Sequence, residues 1–223
     1  MARFSRVQTW LTMEEQGLVP LFYHADAETA KEIIGALAAG GARLVEFTNR
    51  GDRAFEVFRE LASWVAERHP EVILGVGSVL DVATAGLYIN LGAEFVVGSV
   101  LNPDVARLCN RRKIPYMPGC GSASEISQAE ELGVEICKVF PASELGGPSF
   151  IKAVKAPCPW SKLMPTGGVS ASYENLKGWF DAGVTCVGMG SALVRKDLVA
   201  ARDWDAMAAL TRQCLAWVQQ ARS

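Results

Sequence analysis

The chain has 223 residues, half of them apolar and 21% charged, with a formal net charge of −2. That suits an ordinary globule of one large domain or two small ones. No basic block or stripe runs along it, which argues against nucleic acid as a partner, and the longest apolar runs are too short and interrupted to span a bilayer.

Residues 3–16 read as a helix. After it, short apolar runs alternate with longer amphipathic ones. The strand candidates, in order, are "LVPLFYH" (18–24), "RLVEFT" (43–48), "EVILGVG" (71–77), "AEFVVGS" (93–99), "IPYMPG" (114–119), "VEICKVF" (134–140), "SKLMPTG" (161–167) and "VTCVGMG" (184–190). Between them lie helical patterns with Ser, Asp or Asn at the front, Gly behind and Pro beyond, the usual start and stop signals. The segment 191–221 reads as an eighth helix with a C-terminal extension. Near-continuous apolar strands alternating with helices imply a parallel sheet covered on its faces. Eight such units close most naturally into a (β/α)8 TIM barrel, here with the short extra N-terminal helix across its bottom. An open doubly wound sheet is the alternative. No linker or low-complexity stretch interrupts residues 1–223, so a single domain is expected.

The N-terminus lacks a secretory apolar core, and the expected location is cytoplasmic. Six cysteines stand at 109, 120, 137, 158, 186 and 214, with no CxxC pair, and the only histidines are His24 and His69. The spacing fits reduced thiols acting as small hydrophobes and gives no zinc signature, so no metal is expected.

Two strand ends, "GVGSVL" (75–80) and "GMGSAL" (188–193), begin a G-x-G pattern, but Leu80 and Leu193 stand where a dinucleotide fingerprint needs its third Gly. Glycine at these positions allows close backbone approach, and free N–H groups there favour anions. In a barrel a phosphate site is commonly built from the loops after the last two strands. Here these are "PTGGVS" (165–170) and "GMGSAL", where Gly167, Gly168, Gly190 and Ser191 offer backbone donors; tight turns alone are the other reading.

Two charged residues interrupt apolar strands. Side chains alternate along a strand. Leu44, Glu46 and Thr48 therefore share one face and Val45 and Phe47 the other, while Ile136, Lys138 and Phe140 oppose Cys137 and Val139. The helix-facing side must be apolar, so Glu46 and Lys138 are left pointing inward. A structural ion pair would fit. So would a Schiff-base lysine: burial disfavours the ammonium, the neutral amine attacks a ketone, and a neighbouring carboxylate moves the protons. Arg50, just past Thr48, is either a clamp for a substrate carboxylate or a solvated loop residue. Ser78 is either a rim hydroxyl or a helix cap, and His24 reads as a polar rim residue.

The runs "GGARLVEFTNR", "GVGSVL", "FVVGSVLNPDV", "IPYMPGCGSASE", "CKVFPASELGG" and "MPTGGVS", in this order, resemble the 2-keto-3-deoxy-6-phosphogluconate (KDPG) aldolases and their 4-hydroxy-2-oxoglutarate (KHG) aldolase relatives. The resemblance covers about Leu18 to Leu193. It implies a class I aldolase that needs no cofactor, is typically a homotrimer, and cleaves a keto acid phosphate to pyruvate and glyceraldehyde 3-phosphate. By that similarity Lys138 forms the Schiff base and Glu46 is the acid/base. Arg50 and Ser78 contact the pyruvate carboxylate, Phe140 packs on the intermediate, and Gly167, Gly168, Gly190 and Ser191 meet the phosphate. Departures from the family pattern cluster at the rim: Ser78 for Thr, Asn49 for Leu, Gly98-Ser99 for Ser-Pro, a smaller "PGCGSASE" loop, and Ser143 where an acidic residue is usual. They leave other substrates open, such as 4-hydroxy-2-oxoglutarate or 2-keto-3-deoxy-6-phosphogalactonate. Another phosphate-binding barrel enzyme and a non-catalytic sugar-phosphate-binding barrel are the alternatives from other classes.

Overall fold

A computed structural model describes residues 2–223. The first helix, α1 (Arg6–Gln16), opens with a capping box in which Ser5 accepts from the Gln8 amide and the Gln8 side chain accepts from the Ser5 amide. It closes at Gly17, whose φ of 68° is left-handed. There follow β1 (Leu18–Phe22), α2 (Ala27–Ala39), β2 (Leu44–Thr48), α3 (Ala54–Arg68), β3 (Ile73–Gly77), α4 (Val82–Asn90), β4 (Val96–Val97), α5 (Pro103–Arg112), β5 (Tyr116–Met117), β6 (Gly119–Cys120) and α6 (Ala123–Glu131). The chain ends with β7 (Cys137–Val139), α7 (Pro148–Lys155), β8 (Leu163–Pro165), α8 (Tyr173–Asp181), β9 (Val187–Met189), α9 (Lys196–Ala201) and α10 (Trp204–Arg222). Side chains of Asp26, Asn102, Ser122 and Ser172 cap helices where the sequence signals predict, and Asp81 and Asp203 cap two more.

The result is an α/β fold with parallel strands in a curled sheet. One run of neighbours is β5-β4-β3-β2-β1-β9 and the other is β6-β7-β8, each pair parallel. The expected fifth strand, 114–119, is split into β5 and β6 at Pro118. Proline has no N–H to give a ladder, yet its carbonyl still accepts from the Lys138 amide at 3.0 Å. A bridge between Thr166 and Gly188 links the ends of β8 and β9. The expected eighth helix is two, α9 and α10, because Arg202 between them adopts a left-handed φ of 52°.

The strand alternation divides the core. Val19, Leu44, Ile73, Phe95, Val97, Met117, Ile136, Met164 and Cys186 form an inner cluster, to which α1 contributes Trp10 and Met13. Val45, Phe47, Cys137 and Val139 belong instead to the larger cluster between strands and helices. There Phe47 stands edge-on to Phe22 at 5.7 Å, and Phe58 edge-on to Tyr88 at 5.0 Å. Inward and outward faces are thus fixed for β2 and β7, the strands that carry the two buried charges.

Candidate active site

Lys138 sits mid-strand in β7, between two side chains of the outer cluster. Its own side chain therefore faces inward. It is 5% exposed, and Nζ lies 5.0 Å from the centroid of the Phe140 ring. Burial holds its pKa below the usual lysine value; the Glu46 charge opposes that shift and the Arg50 charge adds to it.

Glu46 faces inward from β2, opposite Gly75 of β3 and Leu21 of β1. It is fully buried, and neither carboxylate oxygen has a hydrogen-bond partner. Gly77 makes room for it, since a Cβ there would overlap Oε1. Burial raises its pKa above the carboxylate norm, against the pull of Lys138 and Arg50. The structural ion pair considered from sequence is thus not a bonded one: the two groups sense each other without direct contact.

At the carboxyl ends of the strands opens a cleft of about 730 Å³. The structure brings Arg50, Phe140, Gly167, Gly168, Gly190 and Ser191 to its wall, with His24. Gly167 and Gly168 take φ of 92° and 77°, conformations that favour glycine, and a Cβ on Gly168 would come within 2.6 Å of Ser143 Cβ. Lys138 and Glu46 are not on this wall. Phe140 joins the two levels, lining the cleft on one side and contacting Lys138 on the other. Ser78, half-buried with a left-handed φ of 59°, lies outside the cleft wall beside Gly77. It is not the cap of α4, which is Asp81.

Three polar lining residues escaped the sequence reading: Tyr23, Thr166 and Lys196. Thr166 is 7% exposed with an unpartnered Oγ1. Its signal was available, because it stands two residues beyond Met164 of the inner cluster and strand alternation turns it inward. Among the described residues no group of three or more His, Cys, Asp or Glu side chains gathers as a metal site, the six cysteines are free thiols, and no helix is long and apolar enough to cross a membrane.

A buried amine and a buried carboxyl, both displaced toward neutrality beneath an anion-friendly cleft, suit carbonyl condensation and proton transfer. Comparison with known proteins agrees. The 2-dehydro-3-deoxy-phosphogluconate aldolase of Pseudomonas aeruginosa is 36% identical over 181 residues, covering 81% of this chain and 79% of that one. The KHG/KDPG aldolase of Escherichia coli K12 is 31% identical over 215 residues, 94% and 98% of the two chains. A crystal structure of KDPG aldolase from Legionella pneumophila, with pyruvate captured as a covalent carbinolamine intermediate, superposes with a TM-score of 0.81 at 26% identity, covering 93% and 96%. The family model for KDPG and KHG aldolases matches residues 11–210, and the chain belongs to that family of lyases.

Proposed function

We propose that this protein is a class I aldolase that cleaves a 2-keto-3-deoxy-6-phosphosugar acid to pyruvate and glyceraldehyde 3-phosphate. The observation that carries the reading is the inward pair: Lys138 driven toward the neutral amine and Glu46 driven toward the neutral acid by burial. The Lys138 amine attacks the keto carbon, giving a carbinolamine, and loss of water leaves an iminium. Removal of the proton from the C4 hydroxyl then breaks the C3–C4 bond. The bonding electrons pass into the iminium as an enamine, and the aldehyde departs. Protonation of the enamine carbon and hydrolysis release pyruvate and restore the amine. Glu46 moves the protons in each step. Arg50 and Ser78 hold the pyruvate carboxylate, Phe140 covers the intermediate, and Gly167, Gly168, Gly190 and Ser191 receive the phosphate.

The test is borohydride reduction in the presence of pyruvate. A permanent adduct on a peptide containing Lys138 supports the assignment, and its absence removes it. A second substrate, 4-hydroxy-2-oxoglutarate, is favoured by the Escherichia coli relative named for both activities. Pyruvate release from phosphorylated and unphosphorylated 2-keto-4-hydroxy acids separates the two.

The wider architecture belongs to the same reading. The pairing of β1 with β9, the Thr166–Gly188 bridge and the continuity of β5 and β6 through Pro118 support one closed (β/α)8 barrel formed as a single domain. Exposed apolar side chains at Phe55, Leu80, Val82, Leu87 and Val100 support self-association, as a homotrimer. Light scattering coupled to size exclusion gives the stoichiometry. The proposed setting is the cytoplasm, where six free thiols stay reduced.

A further inference from the structure

The charge distribution along the cleft is one-sided. Among the described residues lining it, Arg50 and Lys196 are cationic, and no carboxylate is present. The acid next to Lys196 is already occupied: Arg195 forks onto Asp197, with Nε at 3.0 Å and Nη2 at 2.5 Å from its oxygens. Lys196 itself has no carboxylate within 4.0 Å among the described residues. Its charge is left uncompensated on the wall it shares with Ser191, Ala192 and Val194.

The two cations are also well separated. Arg50 follows β2 and Lys196 follows β9, and β1 lies between these strands. The strands they follow are two interstrand spacings apart, about 10 Å, so the two cations approach the cleft from different strand ends.

We propose that Lys196 is a specificity-determining residue, whose ammonium binds the anionic group at the far end of the substrate and sets the preference for phosphorylated over unphosphorylated keto acids. The proposal rests on the aldolase reading and deepens it. Backbone N–H groups of the glycine loops donate to a phosphate, a carboxylate or a hydroxyl oxygen with modest discrimination. A full positive charge adds attraction that grows with the ligand's charge, and a phosphate monoester carries about −1.5 to −2 near neutral pH. A lysine is a flexible point charge that reaches such a group without bidentate geometry. Because Lys196 is exposed, solvent screening keeps its effect moderate.

The test uses the full chain with Lys196→Met and Lys196→Arg. In the Met variant, the ratio of kcat/KM for a phosphorylated over an unphosphorylated 2-keto-4-hydroxy acid is expected to fall about fivefold to tenfold. The Arg variant should restore most of it. Calorimetric titration with glycerol 3-phosphate, which needs no turnover, should show about the same loss in the Met variant and a weaker dependence of affinity on ionic strength. An unchanged substrate ratio, or glycerol 3-phosphate affinity equal to the wild type's, overturns the proposal. If the wild-type protein forms no borohydride adduct with pyruvate while the Met variant still loses glycerol 3-phosphate affinity, the aldolase reading fails and the anion site stands.

Discussion

Lys138 and Glu46 are buried on the inward faces of β7 and β2, each charge moves the other's protonation, and neither Glu46 oxygen accepts a hydrogen bond. For two groups in a structural role this arrangement is poor. Each carries a desolvation cost, and the direct contact that would offset it is missing. For a condensation site it is useful, because burial favours the amine over the ammonium and leaves a carboxyl able to give or take a proton.

Removing both charges should therefore stabilise the fold while abolishing turnover. The Lys138→Met/Glu46→Leu double variant is expected to gain about 1–4 kcal/mol, the range seen when buried pairs are replaced by packed hydrophobic residues of similar volume. The gain depends on pH in a defined sense. The Glu46 pKa is raised in the folded state, so the wild type loses stability relative to the variant as pH climbs from 4.5 through the folded value. The Lys138 pKa is lowered, so the wild type recovers as pH climbs from its folded value toward 10.5. Denaturant midpoints of the two proteins across pH should differ most between these windows. A variant less stable than the wild type near neutrality would refute the argument.

Glu46→Gln alone separates condensation from proton movement. Turnover should drop by roughly 10²–10⁴-fold, the usual contribution of a positioned acid/base. The wild-type rate should be bell-shaped in pH, its acid limb above the ordinary carboxylate range and its alkaline limb below the ordinary lysine range, both belonging to the coupled pair. Loss of one member should remove one limb. Steady-state rates across pH check both points, and a loss under fivefold takes Glu46 out of the mechanism.

The inward direction of both residues was legible because strand alternation has a period of two, and each strand offered one charge among apolar neighbours. The glycine loops were legible from their composition, and the structure brings them to one wall. Other features left no periodic trace. Pro118 divides a run that reads as one strand, and the break is visible only through the hydrogen bonds around it. Thr166 is the exception: alternation from Met164 turns it inward, although the glycines that follow it dominate the local pattern. Lys196 stands out once Asp197 is seen committed to Arg195. The contact between Tyr88 and Asn49 joins residues 39 positions apart on different elements, and no local pattern announces it.

Gly77→Ala tests how closely the carboxyl is held. Gly77 ends β3 beside Glu46, and an added methyl would occupy the space of Oε1. Strand geometry accepts alanine, so the conflict is one of packing. Forcing a group into a filled site typically costs about 1–3 kcal/mol, and Glu46 has to turn away. Turnover should fall toward that of Glu46→Gln, with a measurable drop in melting temperature. A fully active Gly77→Ala enzyme would mean that the carboxyl position is not critical.

Tyr88→Phe tests the placement of Arg50. The Tyr88 hydroxyl donates to Asn49 Oδ1 at 2.8 Å, and the Asn49 amide donates to the Gly77 carbonyl at 2.8 Å. These bonds tie the residue before Arg50 to α4 and to β3. Burial pushes the Tyr88 phenol up to about 12, so it remains a donor throughout the working range. Without the hydroxyl, the loop keeps its backbone bond and loses its side-chain anchor, at about 1 kcal/mol in stability. Arg50 is exposed and reaches the cleft from this loop, so the grip on a substrate carboxylate proposed for it should loosen. KM for the keto acid is expected to rise severalfold with kcat nearly unchanged, because the chemistry at Lys138 and Glu46 is untouched. An equal fall in kcat with constant KM would assign Tyr88 to the chemical step and not to the loop.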